Sequence, residues 1–164
     1  MRFHLVCIGR LKAGRERELA CHYLDRARNL GRSLGVSAVD MHEIEESKAR
    51  RAQDRKREEA KALRTLMAGL GISSGCFIAC DEAGENMTSP QFAERFRRLR
   101  DAGANDLALL IGGPDGFDAD FRSEAAFSLA FGNLTWPHQL ARIMAAEQIY
   151  RALTVLAGHP YHRA

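Results

Sequence analysis

Short apolar runs alternate along this chain with longer stretches in which apolar residues recur every three to four positions. Phe3-His4-Leu5-Val6-Cys7-Ile8 is apolar almost throughout and stops at Gly9, which predicts a first buried strand. Over 15–30, Leu19, Tyr23, Ala27 and Leu30 return at helical spacing, with Cys21 and Leu24 beside them. Residues 36–44 alternate Val36, Ala38 or Val39, Met41 and Ile44 with polar neighbours, so a second strand with one wetter side is expected toward a sheet edge. Ser47 offers an N-terminal cap for a long helix through about residue 67. A third strand, Cys76-Phe77-Ile78-Ala79-Cys80, closes at Asp81-Glu82-Ala83-Gly84. Thr88-Ser89-Pro90 then marks a helix start, and the helix to about residue 100 turns Phe92, Phe96 and Leu99 inward.

The run that organises the rest is Leu107-Ala108-Leu109-Leu110-Ile111, followed at once by Gly112-Gly113-Pro114-Asp115-Gly116-Phe117. Five apolar residues are strand length, and the glycines free the backbone to turn and let a ligand approach the main chain without a Cβ in the way. In α/β sheets such a loop, at the carboxyl end of a central strand, is where ligands sit. Asp118 or Asp120 can cap a short helix over 121–126, and 127–130 supplies one more apolar stretch. The strand–helix alternation predicts a single α/β domain over 1–164, with a mainly parallel sheet and helices on both faces.

The final helix, 137–156, is apolar nearly all round. Leu140, Ile143, Met144, Tyr150 and Leu153 form one stripe, and Ala141, Ala145, Ile149, Ala152, Val155 and Leu156 fill much of the other side. Such a helix needs two partners, here its own sheet and the same helix of a second subunit. Arg142, Glu147 and Arg151 are its embedded charges, and Glu147 stands four residues before Arg151 as a structural ion pair would.

Composition narrows the picture. A 46% hydrophobic content over 164 residues suits one globular core. The amino terminus has neither a signal peptide's apolar segment nor membrane-spanning length, so a cytoplasmic protein without a membrane partner is expected. Cys7, Cys21, Cys76 and Cys80 form no Cys-x-x-Cys pair and read as reduced core thiols. Net charge is only +3, but the basic residues are bunched. Lys48, Arg50, Arg51, Arg55, Lys56, Arg57, Lys61 and Arg64 crowd one helix against Asp54, Glu58 and Glu59. A solvated face laced with (i, i+4) pairs accounts for such a run, and an RNA-facing surface is the alternative. Arg10 and Lys12, on the first strand-to-helix loop, have the same two readings.

Four separated motifs then carry a resemblance that spans the chain. Leu109 to Phe117, Leu134-Thr135-Trp136-Pro137-His138-Gln139-Leu140-Ala141-Arg142, Glu147-Gln148-Ile149-Tyr150-Arg151-Ala152 and Gly158-His159-Pro160-Tyr161-His162-Arg163 resemble, in order and spacing, the signature of the RlmH family. That family comprises bacterial SPOUT-class methyltransferases that modify N3 of a pseudouridine in large-subunit (23S) ribosomal RNA. The resemblance implies a deep trefoil knot made by the carboxyl-terminal segment, with knot and cofactor region at about 107–157 and a substrate-contacting tail at 158–164. It also implies S-adenosylmethionine as cofactor, an obligate homodimer, and the ribosome as partner, with no metal.

Carried over by position, the resemblance puts the cofactor at Cys80, at Gly112, Gly113 and Gly116, and along Gly132, Asn133, Leu134, Thr135, Trp136 and Pro137. Other members often carry leucine where this chain has Cys80, a change a backbone contact survives. Main-chain groups freed at these loops can bind adenine and ribose edges, with Leu134 or Trp136 covering the base. Methyl transfer from a sulfonium is an in-line displacement, so position and exclusion of water matter most. N3 of a uridine-type ring must also lose a proton. His138, in the first turn of the last helix, is one candidate base, because the helix dipole disfavours its imidazolium; it also reads as a helix-start residue bonded to a neighbouring carbonyl. His162 is the rival. In the family, the tail with Tyr161, His162 and Arg163 is thought to reach the other subunit's pocket, although His159-Pro160-Tyr161-His162 also reads as a disordered chain end. Metal ligation by His138, His159 and His162 is the weakest option, since no carboxylate or cysteine stands at a ligand-like offset. Two other functions compete: a ribosome-binding factor that has lost catalysis, and a nucleotide-binding oxidoreductase. The oxidoreductase is disfavoured by a glycine loop that follows the fourth strand without dinucleotide spacing.

Overall fold

The computed structural model describes the backbone of residues 1–163 and the side chains of residues 1–161. The tail chemistry expected of the His162 and Arg163 side chains lies outside the described residues. The elements are β1 (Arg2–Ile8), α1 (Arg15–Gly31), β2 (Ala38–Ile44), α2 (Ala52–Leu70), β3 (Phe77–Asn86), α3 (Ser89–Asp101), β4 (Asp106–Ile111), α4 (Ala119–Ser123), β5 (Phe127–Ala130) and α5 (His138–Leu156), with 3-10 turns at Arg32–Leu34 and Pro160–Arg163. The strands form one sheet in the order β2-β1-β4-β3-β5, every pair parallel, so β4 is central and β2 is an edge, as expected.

A parallel sheet must be covered on both sides, and it is. On one face Leu5, Ile78 and Leu109 pack under α1, α3 and α5 through Ala20, Leu24, Phe92, Phe96, Ala145 and Ile149. On the other, Val6, Phe77, Ala79 and Leu110 meet α2 and α4 through Ala60, Leu63, Met67 and Phe121. Each buried Leu, Ile or Phe contributes about 1.5–3 kcal/mol, more than a helix propensity term, so these inward stripes hold the polar α1 and α2 in place. Among the described residues no helix is long and apolar enough to cross a membrane, and the four cysteines are free.

Three expectations are corrected. First, α2 begins at Ala52, not after Ser47. The Ser47 hydroxyl donates to Glu58 and its N–H donates to Glu59 Oε1 at 3.0 Å, so 45–51 is drawn back against α2 as a strap instead of starting it. Second, β3 does not stop at Cys80. It shifts register between Cys80 and Glu85 and continues to Asn86. Gly84 permits that continuation, since a Cβ there would lie 2.7–2.8 Å from the backbone of Ser128 and Leu129. Third, the described residues of α2 hold no (i, i+4) ion pair; Arg55 and Arg64 reach Asp115 and Glu124 on other elements. Part of the second side of α5 is taken by α1 and α3 of the same chain, and Leu140 and the α1 residue Leu19 are left exposed. The α3 start is as expected: the Thr88 hydroxyl accepts from the Gln91 N–H, and the Gln91 side chain returns the bond to the Thr88 N–H.

One polar cluster is built into the sheet. Asp106, 6% exposed, accepts from Arg2 at 2.6 and 2.9 Å and from His4 Nε2 at 3.0 Å, while His4 Nδ1 and His42 Nε2 share a hydrogen bond at 3.0 Å. The Arg2 hydrogen bond, with help from His4, holds the Asp106 carboxyl below the usual carboxylate range. A depressed folded value means the stabilisation is complete above the unfolded pKa and is lost as pH falls through the folded one. Replacing Asp106 with Ala should cost about 2 kcal/mol at neutral pH, a figure lowered by the exposure of Arg2. Urea unfolding should show that gap closing as the pH is taken well below 4, and a pH-independent gap would assign the loss to packing alone.

Candidate functional site

The site is made where β4 and β5 end, beside the middle of β3. After Ile111 the chain turns through Gly112 to Gly116, closed by the Gly116 N–H donating to the Gly113 carbonyl at 2.9 Å. After β5 a second loop, 131–137, folds on itself: the Trp136 indole N–H donates to the Phe131 carbonyl at 2.9 Å. Asn86, at the tip of β3, accepts from the Gly132 N–H at 3.0 Å and donates to Asn133 Oδ1 at 3.0 Å. Between the two loops lies a cavity of about 760 Å³.

Of the residues expected at the cofactor, Cys80, Gly112, Gly113, Gly116, Gly132, Leu134, Thr135 and Trp136 line this cavity, and His138 joins them. Asn133 and Pro137 belong to the same loop but do not line it. Asn133 is turned to Asn86, and Pro137 serves as the extended residue before α5. Leu134 is 70% exposed and Trp136 40%, large apolar side chains left open at a cavity wall. Burial pushes the Cys7 thiol up to about 12 and raises that of Cys80 as well, so both stay protonated. The walls combine main chain and apolar side chains with the charged Lys56, Asp81, Glu82, Asp115 and Arg122, and the freed backbone groups can hold a ligand of the S-adenosylmethionine type.

The glycine loop is propped from below. A Cβ on Gly113 would come 2.7 Å from Glu59 Oε2, so only glycine lets the loop rest on that carboxyl. Glu59 is 5% exposed, and burial raises its pKa. Beside it Arg55 forks onto Asp115 at 2.6 and 2.9 Å and also donates to the carbonyls of Ala49 and Arg50, tying strap, helix and loop together.

From above, the loop hangs on α5. His138 Nε2–H donates to the Gly112 carbonyl at 2.9 Å, and the Arg142 guanidinium lies 3.4 Å from His138 Nδ1. Burial first, then Arg142, lowers the His138 pKa and favours the neutral ring. With both nitrogens engaged, the ring acts as a strut. Arg142 is wholly buried and reaches Glu43 Oε1 at 2.5 Å and the Gly9 carbonyl at 2.9 Å. Burial pushes the Glu43 carboxyl up, but the Leu11 N–H, Arg17 and Arg142 outweigh it and bring it below the usual range.

Tyr161 is elsewhere. Its ring packs on Tyr150 with centroids 4.7 Å apart, and its hydroxyl donates to Glu147 Oε1 at 3.1 Å. Glu147 pairs with Arg151 at 2.7 Å, the structural pair read from the sequence. Glu147 also borders a second hollow of about 410 Å³ between α1 and α5 that includes Leu19, Tyr23 and Met144.

Sequence reasoning missed Glu59, the Arg55–Asp115 fork and the Asn86 pin. Glu59 was legible in principle, since with Leu63 and Met67 it falls on the inward stripe of α2 at four-residue spacing. The other two join positions tens of residues apart and leave no local signal.

Comparisons agree with this geometry. Residues 1–162 match the family model described as "Predicted SPOUT methyltransferase". The protein named Ribosomal RNA large subunit methyltransferase H of Beijerinckia indica subsp. indica is 51% identical over 164 residues, covering 100% of both chains. Its namesake from Xanthobacter autotrophicus is 53% identical over 165 residues, again covering 100% of both. Among solved structures, a probable methylase family protein from Haemophilus influenzae Rd KW20 shares the fold at TM-score 0.50 and 10% identity, over 97% of this chain and 69% of that one.

Arg142 offers a direct check. Arg142→Met keeps the length but strands the Gly9 carbonyl and leaves Glu43 with only Arg17 and the Leu11 N–H, so equilibrium unfolding should show a loss of about 2 kcal/mol. A loss below about 1 kcal/mol would mean these groups find other partners or water.

Proposed function

The chain belongs to the SPOUT methyltransferase family, and from that premise we propose that it transfers a methyl group from S-adenosylmethionine to N3 of a pseudouridine in large-subunit ribosomal RNA, on the assembled ribosome in the cytoplasm. The observation that carries this reading is the cavity walled by the two backbone loops that follow β4 and β5, in a chain that matches proteins named for ribosomal RNA methylation from end to end. When bound, the cofactor supplies an electrophilic methyl group on a sulfonium. The residues of the chain then position it and exclude water. Backbone groups of 112–116 and 131–136 hold the adenosine portion, while Leu134 and Trp136 cover the base. His138 fixes the Gly112 carbonyl through its Nε2–H and so sets the height of the loop, a positioning role.

The proton on N3 needs another acceptor, because both ring nitrogens of His138 are engaged. We assign it to the tail, with His162 as base, Arg163 steadying developing charge or phosphate, and Tyr161 donating. The Tyr161 phenol is pushed up to about 12, burial being the largest cause, which keeps its proton in place for donation. Tyr161 does not line its own chain's cavity, so this reading requires a homodimer in which the tail of one copy serves the pocket of the other. The exposed Leu19 and Leu140 beside the second hollow are apolar surface such a dimer would bury.

The expected trefoil knot is retained as part of the proposal. After β5, at one edge of the sheet, the chain returns across the strand ends to place His138 against Gly112 and Arg142 against Ile8 and Gly9, a path that favours threading.

Titration calorimetry should show S-adenosylmethionine binding to the purified protein, and Gly113→Val, which drives a side chain into Glu59, should weaken it at least 100-fold. Wild-type affinity in that variant would remove the cavity from the mechanism. Deleting residues 161–164 should leave cofactor affinity intact and stop methyl transfer to ribosomes, read as loss of the modified nucleotide in a mass map of 23S RNA. Transfer at the normal rate after the deletion would rule out a catalytic tail.

A further inference from the structure

Two groups of basic residues have opposite fates in this fold. On α3 the four arginines are neutralised: Arg95 pairs with Glu85, Arg97 with Glu94 and Asp101, Arg98 with Glu94, and Arg100 with Asp101. On the strap and the first half of α2 the reverse holds. Lys48, Arg50, Arg51, Lys56, Arg57 and Lys61 have no carboxylate within 4.0 Å among the described residues. Five of the six are exposed, and Lys56, half-buried, lines the cofactor cavity together with Gln53. The exposed carboxylates on the same two segments are Glu45 and Glu46 at the start of the strap, with Glu45 3.6 Å from Arg10, and Asp54 and Glu58 on α2, with Glu58 occupied by the Ser47 hydroxyl.

The placement of these cations is fixed by structure. Arg55 holds the carbonyls of Ala49 and Arg50 with one amino group while its other nitrogens grip Asp115 of the glycine loop. Glu59 anchors Ser47 from the inner side of α2. The strap and its cations are thus clamped to the loop that forms the cavity wall. A cluster of unneutralised charge costs self-repulsion, and it attracts a chain of phosphates through counterion release.

We propose that the surface formed by Lys48, Arg50, Arg51, Arg57 and Lys61, with Lys56 at the cavity lip, docks the phosphate backbone of the RNA that carries the target base. It rests on the methyltransferase reading above and adds the side of the cavity from which RNA enters. Contacts of this kind fix register and orientation without reading sequence.

The test is direct binding of the full-length protein to 70S ribosomes across a salt series, with methyl transfer measured separately. Replacing Arg50, Arg51, Arg57 and Lys61 together by Ser should raise the dissociation constant at least tenfold. It should also flatten the slope of log affinity against log salt by about 3, at roughly 0.7–0.9 per lost phosphate contact. S-adenosylmethionine affinity should be unchanged, which reports intact folding. Arg50→Lys, Arg51→Lys and Arg57→Lys combined should bind ribosomes like the wild type, because charge and not fork geometry is used. Wild-type ribosome affinity in the serine variant would overturn the proposal. So would an equal loss from Arg97→Ser with Arg98→Ser on α3, since total charge would then suffice. If the wild type binds ribosomes but transfers no methyl group, the functional reading fails, and the two variants still decide the surface.

Discussion

The working end of this protein is held by one buried charge. Arg142 is wholly enclosed and meets Glu43 at the end of β2, the carbonyls of Ile8 and Gly9 at the end of β1, and His138, which in turn carries Gly112 at the end of β4. Enclosing a guanidinium costs several kcal/mol unless nearly every donor finds an acceptor. The carboxyl ends of β1 and β2 and the His138 ring supply acceptors to the two amino groups of Arg142, while its Nε has none, and such strand ends are also where an α/β sheet leaves room for a ligand. The same arginine therefore ties the last helix to the sheet and sets the ceiling of the cavity. Glu59 and Arg55 support the floor from the opposite layer. The glycine loop is held between two helices and has little freedom of its own.

Much of this was legible in the residues. The apolar runs at 3–8, 107–111 and 127–130 became strands because no helical spacing competes there, and the glycines after Ile111 marked the loop that lines the cavity. What escaped was long-range or disguised. Ser47 has the chemistry of a helix cap, yet its hydroxyl and N–H are claimed by Glu58 and Glu59, which lie too far along to be part of any local cap. The extension of β3 past Cys80 is polar and contains glycine, so it looks like a turn. Its stability comes from pairing with β5 and from the close approach at Gly84. The all-round apolar character of α5 correctly called for two partners, but periodicity does not say whether a partner lies in the same chain, and α1 and α3 take part of that role.

The two basic populations make a related point. Composition alone gives a net charge of +3 and a generic affinity for anions. Only the fold separates the arginines of α3, spent on neighbouring carboxylates, from the cations of the strap and α2, which reach the cavity at Lys56.

Cys80 has one further consequence. It stands in the wall of a pocket proposed to hold an alkylating reagent, and a thiolate there would be a stronger nucleophile than any ring nitrogen of RNA. Its desolvated surroundings keep the sulfur in its neutral, sluggish form. Burial of that one thiol thereby spares the enzyme from self-alkylation, and a cysteine is tolerated in a position where a hydrocarbon side chain carries no such hazard.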